Sequence, residues 1–220
     1  MQMLVATGGS RHSEIAVRAG LGLAGRLNAE VTLLFAVKST IARAPAHRTL
    51  EALCLHYAPA RLPITRKVRV GRILPVLYEQ LREQPADLLV LGERLQHRML
   101  TRIRGSVTSR VASSAPCPVL IAKRADLPLA KVLICDSGAA PPTVFDGLAT
   151  HDMLPLFTDS QITVLHVMSQ ISAGPGVRGR QLRAGVDDLI HAHAPEGNLL
   201  ARDVAILRDH GLLAKAKVRH

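Results

Sequence analysis

The sequence predicts an α/β fold: an open parallel sheet with helices on both faces, followed by a partial second copy of the same unit. Three observations carry this. Short apolar runs alternate with amphipathic segments, the pattern of strand–helix–strand crossovers onto a parallel sheet. Asp87-Leu88-Leu89-Val90-Leu91 is apolar at successive positions after its aspartate and stops at Gly92, as a strand does when both its faces are covered. The pattern then starts again. Lys131-Val132-Leu133-Ile134-Cys135 resembles the opening strand, and Ile162 to Val167 resembles Val31 to Ala36.

In chain order, Met3 to Ala6 reads as the first strand and Thr7-Gly8-Gly9-Ser10 as a turn. A helix follows from about His12 to Leu27, with Ile15, Ala19, Leu23 and Leu27 on one face and Ser10 or Ser13 as cap. Val31 to Val37 is the second strand, residues 38–47 read as a connector, and Arg48 to Tyr57 as a short helix. Ile64 to Val70 alternates as a third strand and ends at Gly71. Ile73, Val76, Leu77 and Leu81 mark a third helix that tolerates Pro75 in its first turn. After Gly92 comes a basic loop, with Arg94, His97, Arg98, Arg102 and Arg104 against Glu93. Gly105-Ser106 opens a fourth helix, and Val119 to Ala122 is the fifth strand. Asp126 to Leu129 is the best linker, dividing residues 1–126 from 130–220. In the second unit, helices are expected near Phe145 to Leu154, Leu182 to Ala192 and Leu199 to His210. Lys215 to Arg219 matches the third strand's Arg66 to Arg69. Counterparts of strands four and five, and of the Gly92–Ser106 loop, are missing. A three-strand remnant leaves bare the edge that a fourth strand would cover, so association or mobility is expected there.

Length and a hydrophobic content of 48% allow one or two packed domains, and aromatics at only 2% leave the core to aliphatic side chains. Cys54, Cys117 and Cys135 form no paired motif, which fits a reducing compartment; with neither a leader-like N-terminus nor a run of roughly 20 apolar residues, a cytoplasmic, membrane-free protein is expected. The net charge of +11 lies wholly in the first unit. Residues 1–128 carry 19 Lys and Arg against 8 Asp and Glu, and residues 129–220 carry 9 of each. That excess suits an anionic partner, or equally an arginine-rich solvated surface.

A glycine at a strand end and a Gly-Ser at a helix start make a phosphate cradle in principle, because helix N-termini present unpaired N–H groups and positive dipole. Gly92, the nine-residue spacer Gln96 to Arg104, and Gly105-Ser106, flanked by ADLLVLG and APCPVLIA, resemble the loop of the universal stress protein family, G-x2-G-x9-G-[ST]. The second glycine of that pattern is Leu95 here. The resemblance covers about residues 1–124. It implies strand order 3-2-1-4-5 and a ligand crevice where that order reverses, beyond the first and fourth strands. It also implies an adenine nucleotide, ATP, with phosphates facing Gly92, Gly105, Ser106 and the Val107 backbone. Nucleotide-binding members usually place an aspartate in the first turn; that position is Gly8 here, and Ser137, one residue after Asp136, in the second unit.

A non-enzymatic stress-response or signalling protein with an eroded nucleotide site is therefore expected, acting through homo-oligomers or partners and pairing through Val119 to Ala122. An ATP-binding member with slow hydrolysis is the first alternative. The second is a nucleic-acid or acidic-partner binder using the basic loop. Phe35, Tyr57, Tyr78, Phe145 and Phe157 all lie outside that loop, which counts against a base-stacking platform. His191 and His193, two apart, do not share a helix face as metal ligands would, Cys117 reads as a buried thiol, and Asp187-Asp188 as a solvated helix edge. No catalytic residue and no metal site is nominated.

Overall fold

The computed structural model describes residues 1–92, 107–125, 129–138, 143–168 and 184–219. Contacts divide the chain into two units, Met1–Leu127 and Pro128–His220. The basic loop and the Gly105-Ser106 pair fall outside the described residues.

The first unit contains β1 (Gln2–Thr7), α1 (Arg11–Leu27), β2 (Glu30–Val37), α2 (Arg43–Tyr57), β3 (Ile64–Val70), α3 (Ile73–Glu83), β4 (Leu88–Gly92), α4 (Val107–Ser114) and β5 (Val119–Ala122). All strand pairs are parallel, in the order β3-β2-β1-β4-β5 that the sequence resemblance implies. Side chains alternate across the sheet. Leu4, Ala6, Leu34, Leu89 and Leu91 pack with Val76, Leu77 and Leu81 of α3 and Val111 of α4. Met3, Val5 and Leu33 point the other way, where Gly20 of α1 lies over Val5 and Glu51 of α2 reaches Arg66 of β3. Each large aliphatic side chain buried this way contributes about 1.5–3 kcal/mol, which lets a core nearly without aromatics hold.

The ends of α1 follow its sequence. Ser10 caps it, its Oγ accepting from the Ser13 N–H while Ser13 Oγ accepts from the Ser10 N–H at 2.9 Å. Asn28 ends it in the left-handed region at φ 49°. The second helix departs from expectation. A short 3-10 turn at Thr40–Ala42 leads directly into α2 at Arg43, so most of residues 38–47 is helical rather than connector. Pro45 is no obstacle, because it occupies the first turn, where its missing N–H forfeits no helical bond, and Ala46 packs inward.

The second unit contains β6 (Lys131–Cys135), α5 (Val144–Thr150), a 3-10 turn at Leu154–Phe157, β7 (Gln161–Val167), α6 (Val186–His191), α7 (Pro195–Asp209) and β8 (Ala214–Arg219). Its sheet is parallel, in the order β6-β7-β8. Ile134, Ile162 and Val164 pack with Phe145 of α5 and with Leu200 and Leu207 of α7. β6 is an edge strand here, whereas β1 is flanked by β2 and β4.

Candidate functional site

The strand order reverses at β1, which leaves a crevice beyond the ends of β1 and β4. Its floor is the turn after β1. Thr7 is buried, and its Oγ1 accepts from the Gly9 N–H at 3.3 Å. Gly9 has φ +72°, which favours glycine, and a β-carbon there would stand 2.8 Å from the tip of the Phe35 ring, which would have to shift. Gly8 differs. A β-carbon there meets nothing within 4 Å, and its φ lies outside the left-handed region. Among the described residues, neither the backbone nor the space for a β-carbon requires glycine at this position.

At the opposite wall β4 ends under the first turn of α1. A β-carbon on Gly92 would overlap the carbonyl oxygen of His12, with the carbonyl carbon at 2.9 Å and Ser13 Cα at 3.3 Å. Helix–strand packing alone demands glycine at this site. Val107 begins α4 and packs, half-buried, against the Leu89–Leu91 core. The structure thus brings Gly8, Gly92 and Val107 to the crevice end of the sheet, while Gly105, Ser106, Leu95 and the loop arginines lie outside the described residues.

The second unit repeats the turn with different chemistry. Asp136 follows β6 and its Oδ1 accepts from the Gly138 N–H at 2.8 Å, and Gly138 has φ +70°. Asp136 therefore matches Thr7, and Ser137 matches Gly8. The Nδ1–H of buried His166 donates to the Asp136 carbonyl at 2.9 Å. Arg202 Nη2 lies 3.5 Å from Asp136 Oδ2 and 2.7 Å from Asp203 Oδ1. Burial first, and the neighbouring Asp136 charge after it, push the Asp203 carboxyl up to about 6 against the pull of Arg202. Sequence reading passed over His166, Arg202 and Asp203, because only the fold places them beside Asp136.

The remaining candidates take structural roles. Burial pushes the Cys117 thiol up, with Asp87 adding to it, which disfavours a thiolate nucleophile. Asp188 Oδ2 accepts from the Gly185 N–H at 3.1 Å at the start of α6, and the His191 Nδ1–H donates to the Asp187 carbonyl at 2.7 Å. Among the described residues no three His, Cys, Asp or Glu side chains gather as metal ligands would, and no helix is long and apolar enough to cross a membrane.

A sequence profile of the Universal stress protein family matches residues 1–123. A comparison with curated proteins gives no match. Among solved structures, a universal stress protein from Archaeoglobus fulgidus DSM 4304 is 16% identical with a TM-score of 0.64, over 99% of this chain and 76% of that one. A putative universal stress protein from Pseudomonas aeruginosa UCBPP-PA14 is 16% identical with a TM-score of 0.61, over 98% and 74%. A universal stress protein in complex with cAMP is 28% identical with a TM-score of 0.49, over 56% and 96%.

Proposed function

The chain belongs to the universal stress protein family, and from that premise we propose that it is a non-enzymatic stress-response or signalling protein whose nucleotide crevice has lost the carboxylate that would hold an adenosine. The observation that carries this reading is Gly8: among the described residues a β-carbon there meets nothing, and the turn presents no carboxylate. The glycines that remain have duties in the fold, Gly9 against Phe35 and Gly92 against His12, so their presence is accounted for without a ligand. Leu95 in place of the pattern's second glycine points the same way. In this reading the second unit is a partial copy of the first, the chain pairs with itself along β5, and it works in the cytoplasm, where its three free thiols stay reduced.

A second reading keeps nucleotide binding, with slow hydrolysis at most. The spacing from Gly92 to Gly105-Ser106 is retained, and four arginines lie between them as charge-assisted phosphate donors. One experiment separates the two. Small molecules are released from the purified protein by denaturation, and ATP and AMP are then titrated by calorimetry. Empty protein with no heat of binding, together with measurable affinity in Gly8→Asp, is the expected result. Co-purified adenine nucleotide, or micromolar affinity abolished by Gly105→Val, favours the second reading. ATP turnover above the buffer rate would overturn the first reading.

A further inference from the structure

The helix α2 is apolar on two sides. Inward it packs on β2 and β3 and buries Ala46 and Leu50. Outward, at 100° per residue, Ala44, Arg48, Ala52 and Leu55 fall within an arc of about 80°, and Ile41, in the 3-10 turn that leads straight into the helix, continues it. All five are exposed, Ile41 by 88% and Leu55 by 84%. The outward side of α3 carries Glu79, Arg82 and Glu83 instead. Four apolar residues around one charge are the makeup of a covered helix face, not of a solvated one.

The stripe is symmetric about Arg48. Ala44 and Ala52 stand four residues to either side of it, and Ile41 and Leu55 seven. When two copies of α2 pack antiparallel about a two-fold axis at Arg48, each residue before Arg48 meets the residue equally far after it. Ile41 then meets Leu55 of the second copy, and Ala44 meets Ala52. The small pair lets the helix axes approach to about 8–10 Å, and the large pair closes over both ends. Arg48 lies on the axis, one turn from Glu51 of the second copy, within reach of its long side chain. Glu51 already faces Arg66 at 4.0 Å with its side chain 61% exposed, so its carboxylate keeps room for a second cation.

We propose that the outward face of α2 docks the same face of a second copy of this chain, through Ile41, Ala44, Ala52 and Leu55, with Arg48 and Glu51 exchanged across the two-fold axis. The register and the charge complementarity select this occupant. The contact does not depend on pairing along β5. The helix sits at the β2–β3 end of the sheet and β5 is at the other end, so the two contacts do not compete, and together they link copies into assemblies larger than a dimer. A membrane surface is a poor occupant, because a helix lying among headgroups carries several Lys or Arg beside its apolar face, and this arc holds Arg48. One helix pair buries less than the roughly 800 Å² per partner of a standard interface, so the pairing is weak, with a Kd on the order of 100 μM.

The test is sedimentation equilibrium of the full chain carrying Leu120→Lys, which removes any pairing through β5 and so keeps the two contacts distinguishable. This chain should be single in the low micromolar range and pair reversibly toward about 1 mM. Adding Leu55→Glu should weaken that pairing ~10-fold or more. Adding Arg48→Glu should weaken it ~5-fold or more, by setting a like charge against Glu51 of the second copy, and Arg48→Glu with Glu51→Arg should restore most of it. The restored pairing distinguishes loss of a contact from loss of folding. A chain that stays single up to about 1 mM overturns the proposal. So does pairing indifferent to Leu55 and Arg48, which would place the contact elsewhere. Binding to phosphatidylserine vesicles that Leu55→Glu abolishes, in a chain that does not pair, would give the face to a membrane surface and overturn it as well.

Discussion

Arg202 holds one oxygen of Asp203 at 2.7 Å, while the other oxygen, Oδ2, is buried without a hydrogen-bond partner among the described residues. Protonating Asp203 removes the charge from that unpartnered oxygen, which fits a carboxyl pushed up to about 6 by burial.

The sign of the pH dependence follows. Asp203 titrates at its ordinary 3.8 when unfolded and near 6 when folded, so between these values the folded chain binds the extra proton. The Asp203 contribution to stability is therefore fully present below about pH 4 and is lost as pH rises to 6, by roughly 1–2 kcal/mol once solvent screening is allowed for, and is flat above. Asp146, which faces Arg202 from the start of α5, is held below its ordinary range chiefly by the Thr143 N–H, and its contribution fades only at lower pH. Urea midpoints followed by circular dichroism across pH 4–7 check this. Asp203→Asn should flatten the profile, and an unchanged slope would refute the assignment.

Gly92→Ala should destabilise the first unit by roughly 1–3 kcal/mol, because the added carbon overlaps the His12 carbonyl and α1 must shift. Gly8→Ala, with open space and an ordinary φ, should change stability by less than about 0.5 kcal/mol. Paired denaturation curves test the contrast, and equal effects would contradict the packing at Gly92.

β5 is an edge strand of the first sheet, and its Leu120 is only half-buried. If copies pair there, the chain sediments as a dimer and Leu120→Lys yields a folded monomer, since a charge on an edge opposes pairing. A monomer at all concentrations for the unmodified chain would dismiss that pairing.

The three thiols should react in a set order. Cys135 is exposed, whereas burial raises both Cys54 and Cys117. Brief iodoacetamide treatment at pH 8 followed by peptide mass spectrometry should find Cys135 alkylated first. Prior labelling at Cys117 would show that the β5 border opens.

Much of this was legible beforehand, and the rest was hidden for physical reasons. Apolar runs and the punctuating Gly71 and Gly92 located the strands, because a strand covered on both faces leaves its mark in consecutive residues. Residues 38–47 lack an apolar period that would mark a helix, yet α2 starts at Arg43, with Pro45 tolerated because it lies in the first turn. Gly92 enters the site through the spacing of the loop pattern, and Gly8 as the place where the family resemblance implies an aspartate. Only coordinates separate a glycine beside empty space from one pressed against a helix. The cluster of Asp136, His166, Arg202 and Asp203 spans three elements far apart in sequence, and no local pattern announces it.

The close approach of Gly92 to His12 also bears on how relatives of this chain are recognised. Selection for a foldable chain is enough to keep Gly9 and Gly92, whatever becomes of the ligand. A lineage that abandons nucleotides will go on displaying part of the glycine signature for as long as it folds. The informative position is the unconstrained one, Gly8, where drift is free once the ligand is gone and where a carboxylate, when present, signals a ligand still in use.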